Sequence, residues 1–279
     1  MQLVHTKAEV RAAVAEARRA GMRVALVPTM GYLHEGHLRL IDRAREMADF
    51  IALSVFVNPL QFGPTEDLDR YPRDLERDAR LAAERGADLL FAPSAAEMYP
   101  HGAPWVAVVP ERGAEVLCGA SRPGHFRGVL TVVAKLFGIF TPDVAIFGQK
   151  DYQQATLIRR MAADLDMPLA IEVAPTVREA DGLAMSSRNA YLSAEERERA
   201  LSLSRALEKA RALVESGESD PGAIRAAVRF VLDSVGLEPE YVELVDASSL
   251  HPVERVRPGT VCALAVRVGQ TRLIDNAVL

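Results

Sequence analysis

In the stretch "PTMGYLHEGHLRLI", residues 28–41, two histidines stand three apart, His34 and His37, with Glu35 and Gly36 between them. A zinc-binding protease helix needs histidines at i and i+4 with a glutamate between them. Here the spacing is i, i+3, and neither a cysteine nor clustered carboxylates supply a third ligand, so the pattern argues against a metal centre. An apolar run, "RVALV", precedes the pair, and Leu38, Ile41 and Met47 mark one face of a helix starting near Glu35. Imidazoles on the first turn of such a helix lie beside free backbone N–H groups and the positive end of the helix dipole, which favour phosphate. Gly31 and Gly36 let backbone and ligand approach closely. Two further donors there suit a triphosphate whose α-phosphorus becomes crowded during attack, a purely electrostatic form of catalysis.

These side chains need a scaffold, and the pattern supplies one. The segments 22–29, 50–57, 87–93, 143–148 and 169–176 read as short apolar strands. Between them, 7–20, the stretch from about Glu35, 74–86, 128–142 and 151–165 read as helices. Alternation with short connections predicts an α/β fold, a Rossmann-like parallel sheet with helices on both faces. After residue 176 the pattern changes to two helices, 193–217 and 220–236, and three strands, the last two joined at Gly269–Gln270. The expected organisation is therefore a Rossmann-like domain over 1–176 and a smaller C-terminal α+β domain over 177–279. A net charge of −5 argues against a basic nucleic-acid groove, so no nucleic-acid partner is expected. No stretch approaches the length of a membrane span. Cys118 and Cys262 form no disulfide framework, which together with a charged, amphipathic N-terminus points to the cytoplasm.

The pattern H-x-G-H after a strand resembles the signature of a nucleotidyltransferase superfamily that includes the class I aminoacyl-tRNA synthetases. That superfamily has a second signature late in the Rossmann domain, a loop bearing serine and a basic residue, and "AMSSRN" (184–189) fits it. Ser186 and Ser187 can donate to phosphate, and Arg188 can neutralise charge on a leaving pyrophosphate. Three further stretches narrow the resemblance: "FVNPLQFGPTEDLDRYPRD" (56–74), "RPGHFRGVLTVVAKLF" (122–137) and "FGQKDYQQ" (147–154). With "PTMGYLHEGH" and "MSSRNAYLS", they resemble the pantothenate synthetase, or pantoate–β-alanine ligase, family.

The resemblance implies an enzyme, a ligase that uses ATP to adenylate pantoate and passes the acyl group to β-alanine, giving pantothenate, AMP and pyrophosphate. It implies an ATP site lined by Met30, Gly31, Tyr32, Leu33, His34, Glu35, Gly36 and His37, by Gly148, Gln149, Lys150 and Asp151, and by Val177, Met185, Ser186, Ser187 and Arg188. His34, His37, Lys150, Ser186, Ser187 and Arg188 are the implied catalytic groups. His37 stands as either a proton donor or a neutral hydrogen-bond donor. Asn58, Gln61 and Gln154 are the expected substrate-binding residues, Gln154 being favoured over its neighbour Gln153. The family usually has glutamate where this chain has Gln149. Mg²⁺ is expected to accompany ATP as co-substrate, with Asp78 its candidate protein ligand, and no tightly bound organic cofactor is expected. The loop 60–73 could cover the site, His125 and Arg127 could support the scaffold or a subunit contact, and a homodimer is implied. Two other readings compete: a nucleotidyltransferase with a phosphorylated acceptor, and a nucleotide-binding module without turnover. Gln61 and Gln154, being uncharged, suit a small hydroxy acid better than a phosphorylated acceptor.

Overall fold

The apolar runs assemble into a six-stranded parallel sheet in the computed structural model, which describes residues 1–64 and 66–279. Its strands are β1 (Gln2–Val4), β2 (Val24–Thr29), β3 (Phe50–Val55), β4 (Leu89–Phe91), β5 (Val144–Gly148) and β6 (Ala170–Ala174), in the order β1-β4-β3-β2-β5-β6. The helices among and after them are α1 (Lys7–Arg19), α2 (Glu35–Arg45), α3 (Leu75–Glu84), α4 (Ala95–Met98), α5 (Leu117–Ser121), α6 (His125–Phe140) and α7 (Tyr152–Asp164). The edge strand β1 was not foreseen. Three residues carry too little periodicity to be read, and only pairing with β4 makes them a strand.

Side-chain alternation along β2 shows how the sheet is covered. Ala25 and Val27 pack with Leu38, Ile41 and Ala44 of α2. Val24 and Leu26, on the alternate face, are equally buried, so both faces are covered and the strand reads as a continuous apolar run. The chain steps from β2 through β3 to β4, then returns to place β5 on the other side of β2. The switch point therefore lies between β2 and β5, where ligands collect beyond the strand ends.

An aspartate stands immediately before each of β3, β4 and β5. The Asp49 carboxylate accepts from Arg23 N at 2.9 Å, Asp88 from Ile51 N at 2.8 Å and Asp143 from Val24 N at 2.7 Å. Each satisfies a backbone amide at or next to the start of a neighbouring strand.

By contact density the chain forms two units. The first comprises Met1–Pro110, Pro123–Gln149 and Leu157–Pro175; the second comprises Glu111–Arg122, Lys150–Thr156 and Thr176–Leu279. The second holds α8 (Ala194–Ala200), α9 (Ser202–Glu215), α10 (Pro221–Asp233) and an antiparallel sheet of β7 (Pro239–Val245), β8 (Val261–Val268) and β9 (Thr271–Val278). Leu203, Leu207, Ile224, Val228, Leu244 and Leu264 lie in its core. The single helix expected over 193–217 is instead divided at Leu201. Leu201 keeps helical dihedrals (φ −60°, ψ −20°), and the Ser204 hydroxyl donates to its carbonyl at 3.0 Å, competing with the helix's own amide. Among the described residues no helix is long and apolar enough to cross a membrane.

Two glycines of α6 test how the first unit is packed. A Cβ on Gly128 would run into the Leu60 carbonyl and come within 2.6 Å of Gln61 N, so α6 lies directly against the single 3₁₀ turn Pro59–Gln61. A Cβ on Gly138 would meet nothing within 4 Å. Gly128→Ala should lower unfolding free energy by about 1–3 kcal/mol through overpacking. Gly138→Ala should raise it by about 0.5–1 kcal/mol through helix propensity. Urea denaturation of the two variants reads both signs.

Candidate active site

The chain leaving β2 turns sharply before α2 begins. Gly31 has φ +86° and Tyr32 φ +51°, two consecutive left-handed residues. Glycine is required at the first of them for space as well as conformation, because a Cβ would lie 2.8 Å from Val55 Cγ1 and 2.9 Å from Asp78 Oδ2. The Thr29 hydroxyl ties the turn to β3 by accepting from Gly31 N at 3.1 Å and donating to the Ser54 carbonyl at 2.8 Å. Helix α3 supplies the remaining support. Asp78 accepts from Tyr32 N (2.8 Å) and Leu33 N (2.6 Å), Arg77 donates to the Leu33 carbonyl at 2.8 Å, and the Arg77 guanidinium lies 5.3 Å from the Tyr32 ring centroid.

This geometry corrects two expectations. Asp78 is 1 % exposed and both its oxygens are engaged by the backbone, so it braces the turn and is not placed to be a magnesium ligand. Burial pushes its carboxyl up from the usual carboxylate range, against the pull of the two amides. Leu33 is fully buried in the core, with its N–H and carbonyl used by Asp78 and Arg77, so it supports the site and does not line it. The Glu35 carboxylate accepts from Arg85 Nη2 at both oxygens (2.9 and 2.7 Å) and lies 3.2 Å from Arg39 Nε, so its side chain is paired with cations of α2 and of the end of α3.

The two histidines form the cap of α2. His34 is the N-cap residue, and its Nδ1 accepts from Gly36 N at 3.1 Å. His37 is three residues on, and its Nδ1 accepts from His34 N at 3.4 Å, completing a capping box in which imidazoles replace the usual hydroxyl and carboxylate. The rings lie 4.0 Å apart between centroids. An Nδ1 that accepts from an amide carries no proton, so the neutral tautomer bears its hydrogen on Nε2 in both rings.

After β3, the turn Pro59–Gln61 begins at Asn58, which is 1 % exposed. Its side chain contacts Gln61, Gly128, Leu60 and Tyr99. Such a saturated, buried group corrects its assignment as a substrate contact; it lies behind Gln61. The Gln61 amide nitrogen is 3.1 Å from Met30 Sδ. His125, left open by the sequence, places Nδ1 2.8 Å from the Gln61 carbonyl, so it belongs to the support of this turn. Of the loop 60–73, Thr65 lies outside the described residues; Phe62 and Tyr71 stack edge to face at 6.0 Å, and Arg73 donates to the Leu68 and Tyr71 carbonyls. Gly148 ends β5 with open space where a Cβ would be, and Gln149 begins the 3₁₀ turn Gln149–Asp151.

The other expected residues belong to the second unit. Lys150 is half-buried and its carbonyl accepts from Asn276 Nδ2 at 3.0 Å, while Asp151 is exposed. Gln153 is 5 % exposed and donates to the Gly113 and Val116 carbonyls at 2.8 and 2.7 Å. Gln154, one residue on, is half-buried. Met185 N donates to the Val177 carbonyl at 2.9 Å, pairing two residues expected beside the nucleotide. Ser186 caps the short turn Ser187–Tyr191, its hydroxyl accepting from Arg188 N at 3.3 Å. Asn189 pins that turn by donating to the Glu179 carboxylate (2.7 Å) and the Ala184 carbonyl (3.1 Å), and Arg197 ties Glu179 to Asp181. A cavity of about 420 Å³ in this unit, lined by Val116, Leu117, Ala120, Tyr241 and Leu250, includes none of the expected site residues. No group of three or more histidine, cysteine, aspartate or glutamate side chains is placed to hold a metal among the described residues.

Because Asp78 must accept two amides, Asp78→Asn leaves one of them facing an NH₂ group. The substitution should cost about 1–3 kcal/mol of stability, read by chemical denaturation, while Glu76→Gln on the same helix serves as a control.

Comparison with known proteins agrees with the fold and with the motifs. The family model for pantoate-beta-alanine ligase matches residues 2–278. The pantothenate synthetase of Pelotomaculum thermopropionicum is 57 % identical over 284 residues, covering 100 % of this chain and 99 % of that protein, and that of Moorella thermoacetica is 56 % identical over equal shares. A crystal structure of pantothenate synthetase from Thermus thermophilus superimposes with a TM-score of 0.95 at 48 % identity, covering 100 % of this chain and 99 % of that one. The pantoate-beta-alanine ligase of Francisella tularensis, complexed with beta-gamma ATP and beta-alanine, gives 0.85 at 32 % identity, covering 100 % and 97 %. With the family model matched from residue 2 to 278 and relatives and solved structures alike over the whole chain, this chain belongs to the pantoate–β-alanine ligase family.

Proposed function

We propose that this protein condenses pantoate with β-alanine in two steps on ATP. A pantoate carboxylate oxygen attacks the α-phosphorus and pyrophosphate leaves; the neutral amine of β-alanine then attacks the acyl carbon and AMP leaves. Activation is needed because oxide is a poor leaving group from a carboxylate, whereas AMP is a good one.

The observation that carries this reading is the imidazole capping box at the start of α2, beside the switch point of the sheet. Both rings give Nδ1 to the backbone, so both act through Nε2–H as neutral donors. Protonation at Nδ1 would cost the cap its acceptor, which supports reading His37 as a hydrogen-bond donor to phosphate. Donors fixed in place before charge develops stabilise the crowded transition state without reorganisation.

Other roles are those the family resemblance implies. Met30, Gly31, Tyr32 and Gly36 provide the backbone of the phosphate turn. Lys150, Ser186, Ser187 and Arg188 engage phosphate, Gly148, Gln149 and Asp151 the nucleotide, and Val177 and Met185 the adenine side. Gln61 and Gln154 hold pantoate; Gln153 is excluded by its burial against the Gly113 and Val116 carbonyls. Mg²⁺ fits this donor set only as an ion brought with the nucleotide, held by phosphate oxygens and water, where it supplies charge neutralisation. A homodimer and a cytoplasmic location belong to the same proposal.

Pantoate-dependent exchange of labelled pyrophosphate into ATP, without β-alanine, tests the first step. Exchange should depend on pantoate and fall by about 10²-fold or more in His34→Ala and His37→Ala, the usual loss of a transition-state donor. Folded, ATP-binding protein that catalyses no exchange would sink the acyl-adenylate route.

A further inference from the structure

We propose that Asn58 is a positioning residue that decides which end of the Gln61 amide meets the acid substrate, and that this end is the NH₂ group. The inference rests on the reading of Gln61 as a pantoate contact given above. An amide side chain can be turned over with little change in shape, so a glutamine in a binding site offers either a donor or an acceptor. Which it offers here is set from behind.

Two partners of Asn58 are main-chain groups whose sense cannot change. Its Oδ1 accepts from the Leu60 N–H at 3.3 Å, a group that can only donate. Its Nδ2 donates to the Gly128 carbonyl at 3.2 Å, a group that can only accept. Turning the Asn58 amide over would set NH₂ against N–H and oxygen against oxygen in a residue only 1 % exposed, where neither clash is cheap. The Tyr99 hydroxyl adds a second donor to Oδ1 at 2.8 Å. Burial pushes the Tyr99 phenol up, so it keeps the proton that this bond needs, and Lys135 Nζ lies 5.4 Å from the centroid of the same ring.

With the Asn58 amide fixed, its second N–H points at Gln61 Oε1, 3.1 Å away. The Gln61 carbonyl is thereby turned toward Asn58, and Nε2 lies at 3.1 Å from Met30 Sδ, on the side of the turn that leads to the histidines. A thioether is a weak acceptor and suits an N–H better than an oxygen. A carboxylate accepts hydrogen bonds and donates none, so an outward NH₂ selects for an acid at this position and an outward carbonyl would repel it. Asn58 reaches the substrate only through Gln61, and α6 takes part through the bare backbone of Gly128.

Steady-state kinetics of the full chain test the polarity. Gln61→Glu keeps Asn58 and its backbone partners and replaces the outward NH₂ by oxygen. At alkaline pH its KM for pantoate should rise about tenfold or more, as for loss of a bond to a charged group, with KM for ATP within about twofold of the parent. On acidification the pantoate KM should recover, because a protonated carboxyl donates again; the parent should show no such recovery over the same range. Asn58→Asp, whose ionised carboxylate only accepts, should turn the Gln61 amide over and raise the same KM alone. Gln61→Glu that binds pantoate as tightly as the parent at alkaline pH would overturn the proposal, since an oxygen would then already face the substrate. A folded Asn58→Asp with unchanged pantoate KM would overturn it too. Gln61→Ala separates this inference from the one beneath it: unchanged pantoate KM there removes the substrate contact itself.

Discussion

The amides of Tyr32 and Leu33 need an acceptor that the sheet cannot give them, and the geometry of the nucleotide turn depends on where that acceptor comes from. Two successive left-handed residues carry the chain away from β2 and point both N–H groups inward. Only a side chain from another element can satisfy them, and Asp78 of α3 does so while almost wholly buried. Its carboxyl is held up by burial, yet its two bonds are worth keeping because an orphaned buried amide costs about 1–3 kcal/mol. The start of α2, and with it the imidazole pair, is fixed by a carboxylate more than forty residues downstream.

The same principle recurs at lower stakes through the first unit. Asp49, Asp88 and Asp143 each precede a strand and each accept an amide from a neighbour. Parallel strands begin where nothing lies opposite, and a short acceptor one residue upstream fits that gap. Asn58 shows what an amide adds over a carboxylate. By donating and accepting at once it passes the fixed polarity of main-chain groups into a side chain at the turn surface. A carboxylate satisfies donors; an amide also transmits direction.

The second unit combines ion pairs with buried amide side chains such as Gln153 and Asn276. Asn189 and Arg197 converge on Glu179, and Arg178 pairs with Asp275, around the turn that bears Ser186, Ser187 and Arg188. The Arg178–Asp275 pair sets a half-buried guanidinium against a carboxylate whose side chain is only 2 % exposed, where salt screens an ion pair less than at the surface.

Much of this was open to reading in the chain alone. Apolar runs with short polar breaks determined the alternating strands and helices, because periodicity is a local consequence of which faces are buried. Likewise, "HEGH" directly after a strand determined a pair of imidazoles at a helix start. The spacing of "FGQKDYQQ" set Lys150 and Gln154 on one helix face, while Gln153 is buried. Asp78, Leu33 and Asn58 were read wrongly in role because each sits inside or beside a motif and has a chemistry-capable or motif-matched identity. What they do depends on partners distant in sequence: Asp78 on Tyr32, and Asn58 on Gly128 and Tyr99. The chain by itself determined the elements and the residue types at their ends. Only the tertiary structure decided which polar groups face ligand and which are spent on the backbone, because satisfying a buried amide requires an acceptor at a definite point in space.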